Sequence, residues 1–467
     1  MTNRAIRRLA AFFVVLFAVL VARQAYVQIV LAPSIAVKAG NPRHALLDAN
    51  RGRILATDGS VLAQTIDGHR DYALGPALAQ VLGYVSVRYG TSGLESAYDR
   101  ALTPADSTGD PITQLAAIAA AFRGTSLVTK GADVVTTIVP DVQRELFAQL
   151  SKHERGAGVV IDPRTGAVLA IASVPSYDPN AFDANFKELS TDPHSPMLDR
   201  ALDGLYPPGS TFKVFTAGAA LDSNTITMDS HFEDPGYLTI GDFTLHNNEG
   251  EASGYADVTT AFAKSSNVDF AQIALKMGTD TFYDYLHRWG IGDSLDFQLP
   301  SEAASVPAKD TIVPGELAQM GFGQGALLMS PLQMALIDAT VANAGNEPRP
   351  YLVRQILRGG TPASVYTSGT LASPVSAEVA ANVTKMMIAV VQRGTGTGAQ
   401  IPGIVVAGKT GTATNPLGAS HSWFIAFAPA DKPRVAVAIV VENGGYGADA
   451  ALPIARDVLR TALGQSP

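Results

Sequence analysis

The spacing of hydrophobic and polar positions changes along the chain, and its first feature is a predicted membrane segment. Apolar residues run without interruption over residues 9–22. The positions before this run carry arginines, namely Arg4, Arg7 and Arg8. A bilayer requires about 20 apolar residues, so we expect the span to extend over residues 9–32, with Arg23 reaching the far interface. The alternative is a cleaved signal peptide, but Arg23 and Gln24 stand where small residues would mark a cleavage site. We therefore expect an uncleaved, single-pass signal anchor, with residues 1–8 in the cytoplasm and the remaining chain outside it.

Residues 41–130 combine strand and turn signals, which predicts a small and partly β module. Asp58-Gly59 lies between the apolar pairs Ile54-Leu55 and Val61-Leu62, a pattern typical of a hairpin turn. We find no catalytic pattern in this stretch. It is interpreted as a non-catalytic module of the pedestal or dimerisation type.

Residues 133–467 form the second predicted domain, which begins with strands and ends with further strands and a helix. Helical signals dominate from Ser210 to about Gln392. The clearest is Ser330-Pro-Leu-Gln333, a capping box with proline at the first helical position. A helix is also predicted to open at Pro140. Strands are predicted over 134–138, 158–162, 167–173, 404–407, 423–427 and 435–441, and a closing helix is predicted over 453–463.

This order of elements predicts an α+β fold. Early strands, a long helical middle and late strands do not make the β-α-β alternation of a parallel sheet. They predict one antiparallel sheet interrupted by a large helical lobe. The segment Trp423–Phe427 is apolar throughout, which is typical of a central strand covered on both faces.

Composition and charge exclude several classes of function. The net charge is -8 and 16% of residues are charged, so no basic stripe indicates nucleic-acid binding. The chain has no cysteine, which excludes disulfides, thiolate metal sites and a cysteine nucleophile. Its eight histidines show no metal-binding helix spacing. We therefore predict neither a metal nor a cofactor.

Candidate chemistry begins with Ser210 and Lys213 in the stretch Tyr206-Pro-Pro-Gly-Ser-Thr-Phe-Lys213. An apolar-periodic run follows, so Ser210 is predicted at the N-cap or first turn of a helix, with the positive end of the dipole at its hydroxyl. Lys213 falls on the same face, one turn along. A serine beside a lysine can be an activated nucleophile. An S-x-x-K motif occurs by chance roughly 0.7 times in such a chain, so the pair alone decides nothing.

Two further motifs give the pair its meaning. Ser265-Ser-Asn267 is an S-x-N motif, and Lys409-Thr-Gly411 is a K-T-G motif with a chance expectation of roughly 0.1. The three motifs, in this order, resemble the active-site signature of penicillin-recognising serine enzymes.

Other stretches resemble the class B penicillin-binding proteins, most of all the actinobacterial penicillin-binding protein A type. The resemblance covers nearly the whole chain and implies a serine transpeptidase/β-lactamase-like domain. The stretches are Arg51-Gly-Arg-Ile54, Gly93-Leu-Glu95, Gly323-Gln-Gly325, Pro331-Leu-Gln333, Ala407–Ala413 and Trp423-Phe424.

The resemblance implies a peptidoglycan D,D-transpeptidase with a serine nucleophile. Ser210 is expected to attack the carbonyl between two D-alanines of a stem peptide, and β-lactams to acylate it. Lys213 is expected to act as a neutral general base, its pKa lowered by burial and by the charge of Lys409. Ser265 would relay the proton to the departing amine, and the Asn267 amide would hold Lys213 and the substrate backbone.

The K-T-G segment is expected to bind the substrate. A cation at Lys409 beside the Thr410 hydroxyl, predicted at the end of a strand, suits a terminal carboxylate. Gly411 would let a substrate backbone approach as an added strand. The resemblance implies an oxyanion hole from the backbone N–H groups of Ser210 and Thr412.

A nucleotide site is the main alternative from another class. Residues 403–410 match the P-loop pattern G-x-x-x-x-G-K-T. A P-loop requires a flexible loop and a helix after the lysine, whereas Ile404-Val-Val-Ala407 has a strand composition. The nearby Gly394-Thr-Gly-Thr-Gly398 is interpreted as a flexible turn rather than a phosphate cradle.

Alternatives within the resemblance are a D,D-carboxypeptidase, a β-lactamase, or a catalytically silent scaffold for a glycan polymerase. No deacylation base can be assigned, and the intact motifs oppose a silent scaffold. The resemblance also implies a SEDS-type polymerase partner meeting the anchor and the small module, within an elongation or division assembly.

Overall fold

The computed structural model describes residues 2–26, 50–104, 130–416 and 418–465. Within these residues, no helix shows both the length and the continuous apolar character that crossing a membrane requires. Parts of three predicted segments lie outside the described residues: residue 1 of the tail, 27–32 of the anchor, and 41–49 and 105–129 of the small module.

The elements are numbered in chain order. The strands are Ile54–Leu55 (β1), Val61–Ile66 (β2), His69–Tyr72 (β3), Val85–Ser86 (β4), Gly90–Thr91 (β5), Asp133–Thr136 (β6), Gly156–Ile161 (β7), Val168–Val174 (β8), His231–Asp234 (β9), Tyr237–Ile240 (β10), Phe243–His246 (β11), Gly254–Asp257 (β12), Glu347–Pro348 (β13), Val353–Arg358 (β14), Thr361–Val365 (β15), Thr370–Ala372 (β16), Ala407–Ala413 (β17), His421–Ala428 (β18) and Val435–Val441 (β19). The α-helices are Thr2–Tyr26 (α1), Ala79–Leu82 (α2), Gly93–Ala97 (α3), Asp99–Leu102 (α4), Pro140–Leu150 (α5), Phe182–Leu189 (α6), Lys213–Asp222 (α7), Val258–Lys264 (α8), Asn267–Arg288 (α9), Pro314–Gly321 (α10), Pro331–Ala342 (α11), Ala377–Arg393 (α12) and Ala451–Ala462 (α13).

The predicted antiparallel sheet is present and carries the main core. Its strand order is β17-β18-β19-β7-β8, and every neighbouring pair is antiparallel. Side chains of β18 alternate between two buried clusters: Trp423 and Ile425 pack with helix α11, while Phe424 and Ala426 pack with α5 and α13. The prediction of a central strand covered on both faces is therefore confirmed.

A second sheet joins the N-terminal module to the rest of the chain. Its order is β15-β14-β6-β1-β2-β3. The predicted hairpin at Asp58-Gly59 is confirmed by the pairing of Ile54 with Ala63. Strand β1 also pairs in parallel with β6, and β6 pairs with β14. Strands from both sides of the predicted boundary at residue 133 thus form one sheet.

A buried ion-pair network explains why charged residues recur in the module. Arg51 and Glu95 are 1% and 0% exposed. The Arg51 Nη2 lies 2.8 Å from the Glu95 Oε2, and the Arg70 Nε lies 2.6 Å from the Glu95 Oε1. The Arg51 Nη1 also lies 2.7 Å from Asp99 Oδ1. The Glu95 carboxylate therefore bridges two buried guanidinium groups and Asp99 adds a second negative charge, a geometry that leaves little tolerance for losing a partner.

The interval from Ser210 to Gln392 is less helical than expected. It contains eight strands, β9 to β16, as well as helices. These strands are only two to six residues long, so they are too short to give a clear periodic signal in the sequence. The capping box at Ser330 and Gln333 is confirmed, and it opens α11.

The strand predicted at 404–407 was displaced. Strand β17 instead begins at Ala407 and continues through the K-T-G segment. It pairs with β18, with Ala407 opposite Phe427 at one end and Ala413 opposite His421 at the other. The strand forms in this glycine- and threonine-rich segment, and not in the valine-rich segment before it, because backbone pairing to a buried neighbour decides strand position. No helix follows Lys409 directly, so the P-loop geometry is absent there.

Candidate active site

Ser210 lies in a tight turn rather than at an α-helix N-cap. A 3-10 turn spans Gly209–Phe212, and α7 begins only at Lys213, so the predicted helix start at Ser210 was one turn too early. Gly209 has a φ of 54° and its N–H donates to the Gly323 carbonyl at 2.8 Å. A Cβ at Gly323 would lie 2.0 Å from the Gly209 oxygen, so only glycine permits this contact.

Lys213 is fully buried, and its amine has three hydrogen-bond partners within 3.0 Å. Its Nζ lies 3.0 Å from Ser210 Oγ, 2.6 Å from the Ser265 carbonyl oxygen and 2.9 Å from Asn267 Oδ1. Burial, followed by the charge of Lys409, holds the pKa of Lys213 well below its usual value. A neutral amine has two N–H groups and one lone pair. The carbonyl and amide oxygens can only accept, so they take the two N–H groups and leave the lone pair for the Ser210 hydroxyl.

Ser265 and Asn267 lie at the break between α8 and α9. Ser265 follows the last residue of α8 with a left-handed backbone, φ 63° and ψ 35°. Ser266 caps α9 by accepting the Asp269 N–H, and Asn267 is the first helical residue. This sharp break places the carbonyl of Ser265 and the amide of Asn267 on the same lysine.

A polar support behind Asn267 was not predicted. The Asn247 Oδ1 accepts the backbone N–H groups of Asn267 and Val268 at 2.7 and 3.0 Å. Asp234 Oδ2 in turn accepts from the Asn247 amide at 2.7 Å and the Ser266 hydroxyl at 2.8 Å. Asp234 is the last residue of β9 and Asn247 directly follows β11, and these four-residue strands are too short to give a periodic signal from which to find them.

Lys409 lies in the middle of β17 rather than at the end of a strand, which corrects the prediction. Its Nζ donates to Ser265 Oγ at 2.8 Å and to the Thr410 carbonyl at 2.9 Å. Burial lowers the pKa of Lys409 to about 7. Ser265 therefore stands between the two lysines, with its Oγ 3.4 Å from Lys213 Nζ.

Gly411 has a structural reason that the sequence analysis did not give. A Cβ there would lie 2.8 Å from Thr211 Cγ2 and 3.1 Å from the Pro208 carbonyl oxygen. Glycine therefore lets β17 approach the Ser210 turn itself. Because β17 is an edge strand, its unpaired side is available to an incoming peptide.

An open cleft of about 560 Å³ collects the predicted site residues. Ser210, Ser265, Asn267, Thr410 and Thr412 all line it, and buried Lys213 and Lys409 reach it through their amines. Thr395, from the segment interpreted as a flexible turn, also lines it. In the described part of the chain, no group of histidine, aspartate and glutamate side chains could hold a metal ion.

A serine hydroxyl, a buried lysine and a second lysine on an edge strand define a serine acyl-transfer site of the penicillin-recognising class. Residues 156–460 match the model of the penicillin-binding protein transpeptidase domain, and residues 51–119 match that of the penicillin-binding protein A dimerisation domain. The chain belongs to the class B penicillin-binding protein transpeptidases.

Relatives and solved structures agree with this family. The chain is 35% identical to the peptidoglycan D,D-transpeptidase PbpA of Mycolicibacterium smegmatis, over 99% of each chain. The ceftriaxone acyl-enzyme of penicillin-binding protein A from M. tuberculosis superposes with a TM-score of 0.81 at 32% identity, covering 89% of this chain and 100% of that one. The D,D-transpeptidase domain from Eggerthella lenta gives 0.80 at 35% identity, covering 89% and 98%.

Proposed function

We propose that the protein is a peptidoglycan D,D-transpeptidase that forms an acyl-enzyme on Ser210 and is acylated there by β-lactams. The observation that carries this function is the contact of Lys213 Nζ with Ser210 Oγ at 3.0 Å, with both N–H groups of the neutral amine occupied elsewhere. The relatives named peptidoglycan D,D-transpeptidase support the same substrate.

Acylation begins with proton transfer from Ser210 to Lys213. The Ser210 oxygen then attacks the carbonyl carbon between the two D-alanines, and the backbone N–H groups of Ser210 and Thr412 receive the oxyanion. The terminal carboxylate is held by Lys409 and the threonines of β17. The ammonium of Lys409 has three N–H donors and uses two within the protein, so one remains for this anion.

The leaving D-alanine needs a proton as its C–N bond breaks. The Ser265 hydroxyl, 3.4 Å from Lys213 and 2.8 Å from Lys409, donates this proton and regains one from Lys213. An amine of a neighbouring stem peptide then enters by the reverse path and forms the cross-link. Attack by water instead would give a D,D-carboxypeptidase.

Covalent labelling tests the acyl-enzyme. We expect a fluorescent penicillin to label the wild-type chain and not Ser210→Ala, because the variant lacks the attacking oxygen. Mass spectrometry of the wild-type adduct should place the label on the peptide that contains Ser210. An unlabelled wild type would falsify the proposal.

Product analysis separates transpeptidation from the related reactions. With a pentapeptide donor and an amine-bearing acceptor, we expect a cross-linked dimer and released D-alanine. Release of D-alanine without a dimer would indicate a carboxypeptidase, and rapid turnover of penicillin would indicate a β-lactamase.

We further propose a single-pass membrane protein with an extracytoplasmic catalytic domain. The support is the apolar run over residues 9–22 after basic positions, together with the helix Thr2–Tyr26. The chain should stay in the membrane pellet after alkaline washing and be cleaved by protease added to spheroplasts. Release by the wash, or protection from the protease, would contradict this topology.

A SEDS-type glycan polymerase is the proposed partner, contacting the anchor and the N-terminal module. The support is the resemblance to the class B penicillin-binding proteins, the family to which the chain belongs. Purification of the tagged chain from its native membranes should recover such a polymerase, and recovery without one would remove the support.

A further inference from the structure

Thr395 connects the two walls of the cleft. It follows α12 in the glycine-rich segment 394–398, and its backbone N–H donates to the Ala263 carbonyl at 3.2 Å. A Cβ at Gly394 would lie 2.3 Å from the same carbonyl oxygen, so glycine is required for this close approach. Ala263 lies two residues before Ser265, which fixes Thr395 against the wall that carries the S-x-N motif.

The Thr395 side chain reaches the opposite wall. Its Oγ1 lies 2.5 Å from the Thr410 Oγ1 on β17, and both residues line the cleft. Thr410 is 6% exposed, whereas Thr395 lies at the open rim. Within the described residues, neither hydroxyl has another hydrogen-bond partner.

Counting protons shows what this pair can do. Each hydroxyl carries one proton, and the mutual bond uses one of the two. Whichever threonine donates, the other O–H remains free, and both residues line the cleft. The pair therefore presents one oriented donor to an anion in the cleft, a bond that charge makes stronger than a neutral one.

We propose that Thr395 is a substrate-positioning residue, which forms with Thr410 one hydroxyl unit that binds the terminal carboxylate of the donor peptide and of β-lactams. The proposal rests on the function proposed above. It adds a residue from outside the three motifs to the part of the site that selects substrates with a free carboxylate.

The test measures the second-order acylation rate constant of the full-length protein in detergent. Two probes are used, a fluorescent penicillin with a free carboxylate and its methyl ester. The variants are Thr395→Val, which removes the hydroxyl at nearly constant volume, and Thr395→Ser, which retains it. Thr397→Val is the matched control, since Thr397 belongs to the same segment, is exposed and does not line the cleft.

We expect Thr395→Val to lower the rate constant for the free acid roughly 10-fold, the range of one hydrogen bond to a charged group, and to change the ester by less than about 2-fold. Thr395→Ser and Thr397→Val should resemble the wild type with both probes. The proposal is overturned if Thr395→Val leaves the free-acid rate unchanged, if acid and ester fall together, or if Thr395→Ser loses as much as Thr395→Val. Failure of the free-acid penicillin to label the wild type would instead overturn the transpeptidase function.

Discussion

Lys213 and Lys409 are two buried amines that face one serine, Ser265, and the reaction needs them in opposite protonation states. Lys213 must be neutral to accept the Ser210 proton, whereas Lys409 must be charged to hold a carboxylate. Burial lowers the pKa of both lysines, and the charge of Lys409 lowers that of Lys213 in addition. With one charge between the two amines, neutral Lys213 can act as the base and charged Lys409 can bind the anion.

We predict a bell-shaped pH dependence of the acylation rate constant. The rate should fall in acid as Lys213 gains a proton, and fall above about pH 7 as Lys409, with its pKa lowered to about 7, loses one. Stopped-flow or gel-based labelling between pH 4 and 10 measures it. In Lys409→Arg, whose charge persists, the alkaline limb should vanish; an unchanged limb would assign it to another group.

Gly411→Ala should impair the site without removing any reacting group. Its Cβ would lie 2.8 Å from Thr211 Cγ2, which must push β17 away from the Ser210 turn. A displacement of about 1 Å can reduce a rate on the order of 100-fold. The check is penicillin labelling with a thermal unfolding curve as control. Full labelling at wild-type rate would show that the turn yields instead.

Among individual residues, the sequence indicated those of the motifs but not the residues that hydrogen-bond to them. Ser210, Lys213 and Lys409 belong to spaced motifs whose combination is rare. Asn247 and Thr395 act through hydrogen bonds, to Asn267 and Thr410 among others, that join segments separated in the chain. No local pattern marks such contacts.

At the scale of packed elements, helix α11 contains a buried carboxylic acid, that of Asp338. Asp338 is 0% exposed, and neither carboxyl oxygen has a hydrogen bond of ordinary geometry within the described residues. Burial raises the pKa of Asp338 well above its usual value, although the nearby Val437 N–H opposes this. Burial in the interface between this helix and the central sheet therefore favours the protonated form of Asp338.

The protonated acid predicts a pH-dependent stability. A carboxyl group whose pKa is higher in the folded state than in the unfolded state stabilises the fold. This contribution is complete at pH values below the unfolded pKa of about 3.9, and it is lost as the pH rises through the folded pKa. Relative to Asp338→Asn, the wild type should lose at least about 1 kcal/mol between pH 4 and pH 8. Urea unfolding at both pH values measures the difference, and parallel curves for the two proteins would argue against a buried acid.

Strong periodic elements were predictable and short ones were not. The capping box at Ser330 and the apolar run of β18 follow from local signals that agree with the fold. The sequence predicted the wrong position for strand β17, because that position depends on pairing with β18. The strands between Ser210 and Gln392 are too short to show alternation.

For the whole molecule, the buried ions of the module are a point of fragility. Glu95→Gln removes the one carboxylate shared by Arg51 and Arg70, so we expect a loss of about 3–5 kcal/mol in unfolding free energy. The control is Asp141→Asn, which removes the exposed partner of Arg144 and should change stability by less than about 1 kcal/mol. Equal effects of both substitutions in denaturant unfolding would refute the argument.

The composite sheet constrains the order in which the chain can mature during synthesis. Val134 of β6 pairs with Ile54 of β1, already made, and with Ile356 of β14, which follows about 220 residues later. At roughly 5–20 residues per second, an elongating chain leaves one edge of β6 unpaired for roughly 10–40 s. During synthesis, β6 therefore exposes an unpaired edge, to which another strand could pair, until β14 has been made. A chaperone would bind this edge during that interval.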